Sequence, residues 1–239
     1  MAKLWEMVAK EIEQSIHRRE FTPGDKLPTE AEYSRRFMVN RNTLRRALAH
    51  LQERGLIEST QGRGSYVRRP AIRYTIGRRT RFTDAMQSQA LEAKTKTLDL
   101  TIKPASREIC DALKMRNGAK TIELRRVGYA GGEPVSLSVH NFSYDRFPFF
   151  AKMYRDNMSV TEALRNCGVL DFTRQRTVVQ SRLPDAAEAA ELNLPRHVPL
   201  IITKAWNVDS VGDAIEYGTA YFASDRVELD IENNRAPEH

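Results

Sequence analysis

The stretch from Leu27 to Val67 leaves the chain little choice of fold, because helix starts, a helix stop and a hairpin follow one another closely. Thr29 and Glu32 form a capping-box pattern, in which hydroxyl and carboxylate satisfy the free amides of a new helix. That helix must be short. Phe37-Met38-Val39-Asn40 interrupts it, and Asn40 is a favoured N-cap for the next. Leu44, Ala47, Leu48 and Leu51 supply the apolar stripe of this third helix, and Gly55 stops it as a C′ residue. Upstream, Leu4, Met7, Val8, Ile12 and Ile16 recur at helical spacing and predict a surface helix of about 15 residues, ending before the Pro23-Gly24 turn. Leu56–Ser59 and Ser65–Val67 read as strands around Gln61-Gly62-Arg63-Gly64, a hairpin with a basic tip.

Two short helices, a tight turn and a longer third helix describe a helix-turn-helix, and the hairpin is then its wing. The first turns of the third helix expose Arg41, Asn42 and Arg45, with Thr43 and Arg46 beside them. Arginine and asparagine are the types that pair bidentately with guanine and adenine in the major groove. The plainer reading is a solvated helix face. In the wing, Gly62 and Gly64 allow close approach of backbone to a phosphate or a groove floor, and Arg63 can enter the minor groove or bind phosphate. Completing the small core is compatible with either role.

Charge sharpens this reading. The net charge is +7, and residues 1–81 carry 18 Lys+Arg against 9 Asp+Glu, whereas the remainder carries 20 against 22. A basic N-terminal part beside a near-neutral remainder points to a polyanion partner for the basic part. An anionic membrane is a poorer fit than nucleic acid, because the arginines sit on the helix-turn-helix frame and no aromatic-faced amphipathic helix accompanies them. No apolar run approaches the roughly 18 residues of a membrane span, and Glu6, Glu11 and Glu13 stand where a signal peptide would be apolar. Cys110 and Cys167 form neither a CxxC pair nor a disulfide framework, which suits a reducing cytoplasm.

Residues 70–81 read as a basic linker, free to touch phosphates or simply be solvated, between a winged helix at 1–69 and a second domain at 82–235. In that second domain, Thr97–Ile102, Thr121–Tyr129, Val135–Phe142, Arg176–Leu183, Leu200–Val208 and Ala214–Ala223 read as strands. Short helices are predicted over Ala105–Met115, from Ser159 toward Gly168, and over Asp185–Leu192. Hairpins outnumber crossovers, so the fold class is α+β with a mostly antiparallel sheet. There is no phosphate-binding glycine loop and no GxSxG motif, and the five histidines lack ligand spacing. No catalytic residue, metal or cofactor is therefore expected.

The run from Leu27 to Val67 resembles the winged helix of the GntR family of bacterial transcription regulators. Leu27-Pro28, the acidic start at Glu30, Val39-Asn40-Arg41-x-Thr43-Leu44-Arg45-x-Ala47-Leu48 and Gln61-Gly62-Arg63-Gly64-Ser65-Tyr66-Val67 carry the likeness. Candidate DNA contacts are Glu30, Asn40, Arg41, Asn42, Thr43, Arg45, Gln61, Gly62, Arg63 and Gly64. Ala31 stands where many members have a long polar residue. The second domain is similar to the UTRA ligand-sensing domain of the HutC subfamily, through Arg81–Met86, Leu124-Arg125-Arg126, Tyr129–Pro134, Ile215-Glu216-Tyr217 and Asp225-Arg226. That resemblance implies a chorismate-lyase-like fold that binds a small effector without turning it over, and a homodimer on a palindromic DNA operator. An appended enzyme of that fold, and a dimeric DNA binder without ligand, are the rival readings.

The expected effector site combines Phe82, Thr83, Arg126, Ser138, His140, Arg174, Arg176, Thr177, Glu216 and Tyr217. A helix start at Phe82-Thr83-Asp84 would offer free amides to an anion. Arg126 matches the arginine that the family aims at an acidic effector, and a guanidinium suits carboxylate, phosphate or phosphonate. A surface ion pair is its plainer role, as a satisfied core histidine is for His140. By the same resemblance a second arginine would stand at Gly128 and an acid at Ser138, which argues against a sugar phosphate; Arg174-Gln175-Arg176-Thr177 could supply replacement cations. This last segment, Val139-His140-Asn141-Phe142 and Val39–Ala47 look like the phosphonate-utilisation (PhnF-type) regulators, which implies a repressor responding to a phosphonate or other small anion.

Overall fold

The computed structural model describes residues 3–60, 64–68, 71–79, 82, 86, 89 and 91–231. The chain divides into two compact units, Met1–Pro70 and Ala71–His239.

The first unit holds α1 (Leu4–His17), α2 (Glu30–Phe37) and α3 (Arg41–Glu53), followed by the hairpin of β1 (Ile57–Thr60) and β2 (Gly64–Val67). Its caps are the expected ones. Thr29 N–H donates to Glu32 Oε2 at 2.7 Å, and the Thr29 hydroxyl accepts from Glu32 N–H. Asn40 Oδ1 accepts from Thr43 N–H at 2.8 Å. Between them the chain turns at Met38, in the left-handed region at φ 53°. Gly55 sits at φ +69°, where a side chain would be strained and a β-carbon would meet Arg68 Nη1 at 2.9 Å. Ile12, Tyr33, Leu44, Leu51 and Ile57 form the heart of the core. The buried stripe of α1 is Val8, Ala9, Ile12 and Ser15, while Leu4 and Met7, expected inside, are exposed. Glu13 fastens α1 to the end of α3 by accepting from both Arg54 Nη1 and Nη2 at 2.6 and 2.7 Å.

The second unit is built on a six-stranded sheet in the order β4-β5-β6-β9-β8-β7, every neighbour antiparallel. Its strands are β4 (Ala93–Pro104), β5 (Lys120–Ala130), β6 (Glu133–Ser143), β7 (Phe172–Arg182), β8 (Leu200–Asp209) and β9 (Ala214–Ala223). Four short helices accompany it among the described residues: α4 (Arg107–Ala112), α5 (Phe150–Asn157), α6 (Val160–Asn166) and α7 (Ala186–Glu191). On one face, α5 and α6 cover Ile122, Leu124, Phe142 and Ile215. On the other, Leu192 and Leu194 pack on Val127, Leu137 and Ile202.

The basic stretch expected to be a linker is in part a strand. β3 (Ile72–Ile76) pairs in parallel with β10 (Val227–Ile231). Tyr74 and Ile76 turn into a core with Phe222 and Val227, and Arg73 reaches Glu228 across the pair at 3.2 Å. Arg73 thus rides on an outward position of a strand whose partner is remote in sequence, and Arg78 and Arg79 follow it in a turn.

Candidate functional site

In the first unit, α3 presents Arg41, Asn42, Arg45 and Arg46 to solvent, on the side opposite its buried leucines. Two of these guanidiniums are already placed. Arg46 lies over the Trp5 ring, 4.8 Å from its centroid. Arg45 Nε donates to Glu30 at the start of α2, at 3.0 Å from Oε2. Arg45 is 65% exposed and Glu30 40%. Solvent screens such a pair, so Glu30 orients Arg45 and competes only weakly with an incoming phosphate or base. Asn40 uses its carbonyl oxygen as the helix cap, and Thr43 is half-buried behind it. Gly64 opens β2 at φ +100°, a conformation glycine takes without strain. The wing-tip candidates Gln61, Gly62 and Arg63 lie outside the described residues.

In the second unit, the sheet and α6 enclose a cavity of about 450 Å³, within the range of small-ligand pockets. Side chains alternate across a strand, so even-numbered positions of β5, β6 and β9 face it: Arg126, Ser138, His140 and Glu216. Odd-numbered positions of β8, ending at Asn207, do the same, and Arg174 enters from β7 at the sheet edge. Phe82, Tyr74 and the Glu162–Arg165 ion pair of α6 complete the wall.

The polar groups of this wall are unevenly satisfied. Arg126 Nη2 donates to Thr95 Oγ1 at 2.5 Å, but its Nε is buried and has no partner among the described residues. The same is true of Arg174 Nε and Nη1. Burial lowers the Arg126 pKa from the ordinary arginine value. Glu216 is buried and doubly held: His140 Nδ1 lies 2.5 Å from Oε1, and Asn207 Nδ2 donates to Oε2 at 2.8 Å. Burial pushes the Glu216 pKa up, but the charge that His140 carries whenever it is protonated, its hydrogen bond, the Asn207 amide and the charge of Arg174 outweigh it. The carboxyl is held below the usual glutamate range. Burial raises the phenol of Tyr74, against a smaller opposing effect of Arg174. Unpaired buried N–H groups on two cations are costly unless something accepts from them, and a small anion has the acceptors they lack.

Of the expected effector residues, Phe82, Arg126, Ser138, His140, Arg174 and Glu216 line this one cavity, and Thr83 lies outside the described residues. Three others do not line it. Tyr217 follows Glu216 on the same strand and therefore points to the opposite face, where its hydroxyl donates to Glu108 at 2.7 Å. Arg176 would share a face with Arg174 in a regular strand. A bulge between them pairs Arg174 with Asn207 but Arg176 with Trp206, and the Arg176 guanidinium stacks on that indole at 4.7 Å. Thr177 pairs with Ala205 farther along the edge and does not reach the cavity wall.

Sequence reasoning missed Tyr74, Thr95, Asn207 and the Glu162–Arg165 pair. Asn207 had a signal, a polar residue two positions on from Ala205 and four from Thr203, on the same inward face of its strand. Gly128 has a steric account. A β-carbon there would meet Ser136 Oγ at 2.6 Å and Phe82 Cζ at 2.7 Å, so the Phe82 ring occupies the space a longer side chain would need.

A winged helix joined to a sheet domain with a polar cavity defines the class of DNA-binding regulators that carry their own small-molecule sensor. Residues 4–67 match the model of the bacterial regulatory proteins of the gntR family, and residues 88–228 that of the UTRA domain. The HTH-type transcriptional regulator RB1450 of Rhizobium meliloti is 36% identical over 96% of this chain and 94% of its own length. The HTH-type transcriptional repressor PhnF of Mycolicibacterium smegmatis is 30% identical over 85% of this chain and 82% of its own. A crystal structure of PhnF from Mycobacterium smegmatis superposes with a TM-score of 0.65 at 27% identity, covering 96% of this chain and all of that one. The chain belongs to the GntR family of transcription regulators, in its HutC-type form with a UTRA domain. A GntR winged helix implies DNA as one partner and a UTRA domain a small-molecule effector as the other. Among the described residues, no helix is long and apolar enough to cross a membrane and no group of three metal-ligating side chains occurs.

Proposed function

We propose that this regulator is a repressor that binds a palindromic operator as a homodimer and is released by a small anion, a phosphonate or related organophosphorus compound, bound in the cavity of its second unit. The observation that carries the anion is the set of buried N–H groups on Arg126 and Arg174 that have no partner among the described residues. A phosphonate offers three oxygens in a compact head, enough to accept from both guanidiniums at once. On DNA, Arg41, Asn42 and Arg45 read base edges, and Glu30, Asn40 and Thr43 set the geometry of that helix start. Gln61, Gly62, Arg63 and Gly64 supply the wing contact. The protein acts in the cytoplasm and carries out no catalysis.

Coupling is by linkage. An anion that favours one arrangement of the two winged helices weakens DNA binding when that arrangement does not fit the half-site spacing, and DNA weakens anion binding by the same factor. The test is a thermal-shift series on the full chain with methylphosphonate, inorganic phosphate, a sugar phosphate and acetate. A ligand that binds only the folded state raises Tm by mass action. A shift with phosphonates above the others supports the reading. A larger shift with the sugar phosphate or acetate reassigns the effector, and no shift with any anion points to a DNA binder whose second unit only dimerises.

A further inference from the structure

The cavity has a charge arithmetic that the two arginines alone do not explain. Among the described residues, the charged and titratable groups that share it with His140 are Arg126 on β5, Glu216 on β9, Arg174 on β7, Tyr74 on β3 and the mutually paired Glu162 and Arg165 on α6. With Glu216 ionised and Tyr74 neutral, their fixed charge is one positive unit. A singly charged anion balances it. A doubly charged anion leaves a negative charge out of water and uncompensated, which a low-dielectric site disfavours strongly.

His140 is placed to supply the missing charge. Glu216 is an ionised carboxylate and can only accept, so it is Nδ1 of His140 that carries the proton facing Oε1. In the neutral ring Nε2 is then the acceptor, and Ser138 Oγ, 3.0 Å away, must donate to it. The Ser138 hydroxyl then turns only lone pairs toward the cavity it lines. When Nε2 gains a proton from solvent, it donates to Ser138 Oγ. The hydroxyl hydrogen is released and can point at an anion oxygen. One proton therefore changes two things together: the cavity gains a positive charge, and Ser138 changes from acceptor to donor. Histidine is the side chain whose charge changes in the physiological range.

We propose that His140, Ser138 and Glu216 form a charge-matching relay that selects doubly charged over singly charged anions by taking up one proton as the dianion enters. The inference rests on the anion-binding reading of the cavity and adds a charge rule to it. The dianionic head group of a phosphonate or phosphate monoester is favoured over a carboxylate or sulfonate of the same size.

Isothermal titration calorimetry on the full chain tests this with methylphosphonate and methanesulfonate, matched in shape and differing in charge. The titrations use mildly alkaline buffers of differing ionisation heat, where methylphosphonate is mostly the dianion. The expected result is one proton taken up per methylphosphonate and none per methanesulfonate, with methylphosphonate affinity falling about tenfold per pH unit. His140→Gln should abolish the uptake and bring the two affinities together. Ser138→Ala should retain the uptake and weaken methylphosphonate about tenfold, the loss of one charge-assisted hydrogen bond. It also keeps the question open to test if the His140 variant does not fold. Methylphosphonate binding without proton uptake, equal uptake for both anions, or uptake intact in a folded His140→Gln overturns the relay and leaves the anion site standing. Binding of neither anion overturns the anion-site reading, and the relay with it.

Discussion

Arg45 on α3 and Arg174 on β7 are both expected to meet an anion, yet the protein holds them in opposite ways. Arg45 is 65% exposed and lies against Glu30 at 3.0 Å. Arg174 is half-buried at the end of a cavity, with Nε and Nη1 left without partners among the described residues. The first arrangement suits a long polyanion. Many solvated cations gain by displacing counterions, each contributes modestly, and salt weakens them all. The second suits one small ligand. A few desolvated donors are fixed in advance, and they can discriminate sharply because leaving them unpaired is expensive.

The largest expected effect concerns the cores beneath these sites. Leu44→Ala empties a fully buried position of the first unit and should cost about 2–5 kcal/mol. Calorimetry should show the melting of that unit lowered while the transition of the sheet unit, which has its own cores, stays in place. A common shift of both would show that the two are energetically one body. Next comes the cavity. Arg174→Gln removes a half-buried cation but keeps a polar side chain, and it should weaken anion binding by about 1.5–3 kcal/mol with DNA affinity unaltered. If anion affinity is retained, the unpartnered N–H groups do not form the ligand site.

Arg45→Ala should reduce specific DNA binding by about 1–3 kcal/mol if it reads a base, with the preference at one position of the operator relaxed. A uniform loss over all sequences, with a shallower salt dependence, would make it a phosphate contact. The smallest effect is electrostatic and lies in the second unit. Arg182 holds Glu188 by two hydrogen bonds of 2.6 Å, which together with the Asp185 amide keep its carboxyl below the usual glutamate value against the opposing effect of burial. A lowered pKa adds stability above the unfolded value and loses it as pH falls through the folded one. Glu188→Gln should therefore be less stable than the parent at neutral pH, by less than about 1 kcal/mol, and the two should converge in acid. A difference that persists unchanged at low pH would assign the effect to packing.

The two units also differ in how much of each could be read from the chain. The winged helix was legible almost to the residue, because its boundaries are local chemistry: Thr29 with Glu32, Asn40 with Thr43, Gly55 at positive φ. In the sheet unit the strands of the hairpins were visible, but β3 was not, since its pairing partner β10 is remote in sequence and the arginines flanking its Ile-Arg-Tyr-Thr-Ile pattern made the segment read as a basic connector. α5 was also missed. It starts at an aromatic run after Pro148 with no side-chain cap, and it ends on Met158 in the left-handed region in place of a glycine. Arg126 could be placed in the cavity from sequence, and the separation of Arg174 from Arg176 could not, because it depends on a bulge. Nor does spacing reveal that His140 and Glu216, on neighbouring strands, meet at 2.5 Å.

On the function proposed above, an anion held by Arg126 and Arg174 controls the affinity of α3 for DNA. The most direct measurement selects an operator from random duplexes and then follows its binding to the full chain by fluorescence anisotropy, with and without saturating methylphosphonate, at fixed salt. The expected result is a lower DNA affinity in the presence of the anion, a loss of methylphosphonate affinity by the same factor when DNA is saturating, and no response in Arg174→Gln. Methylphosphonate that binds the protein and leaves operator affinity unchanged would contradict it.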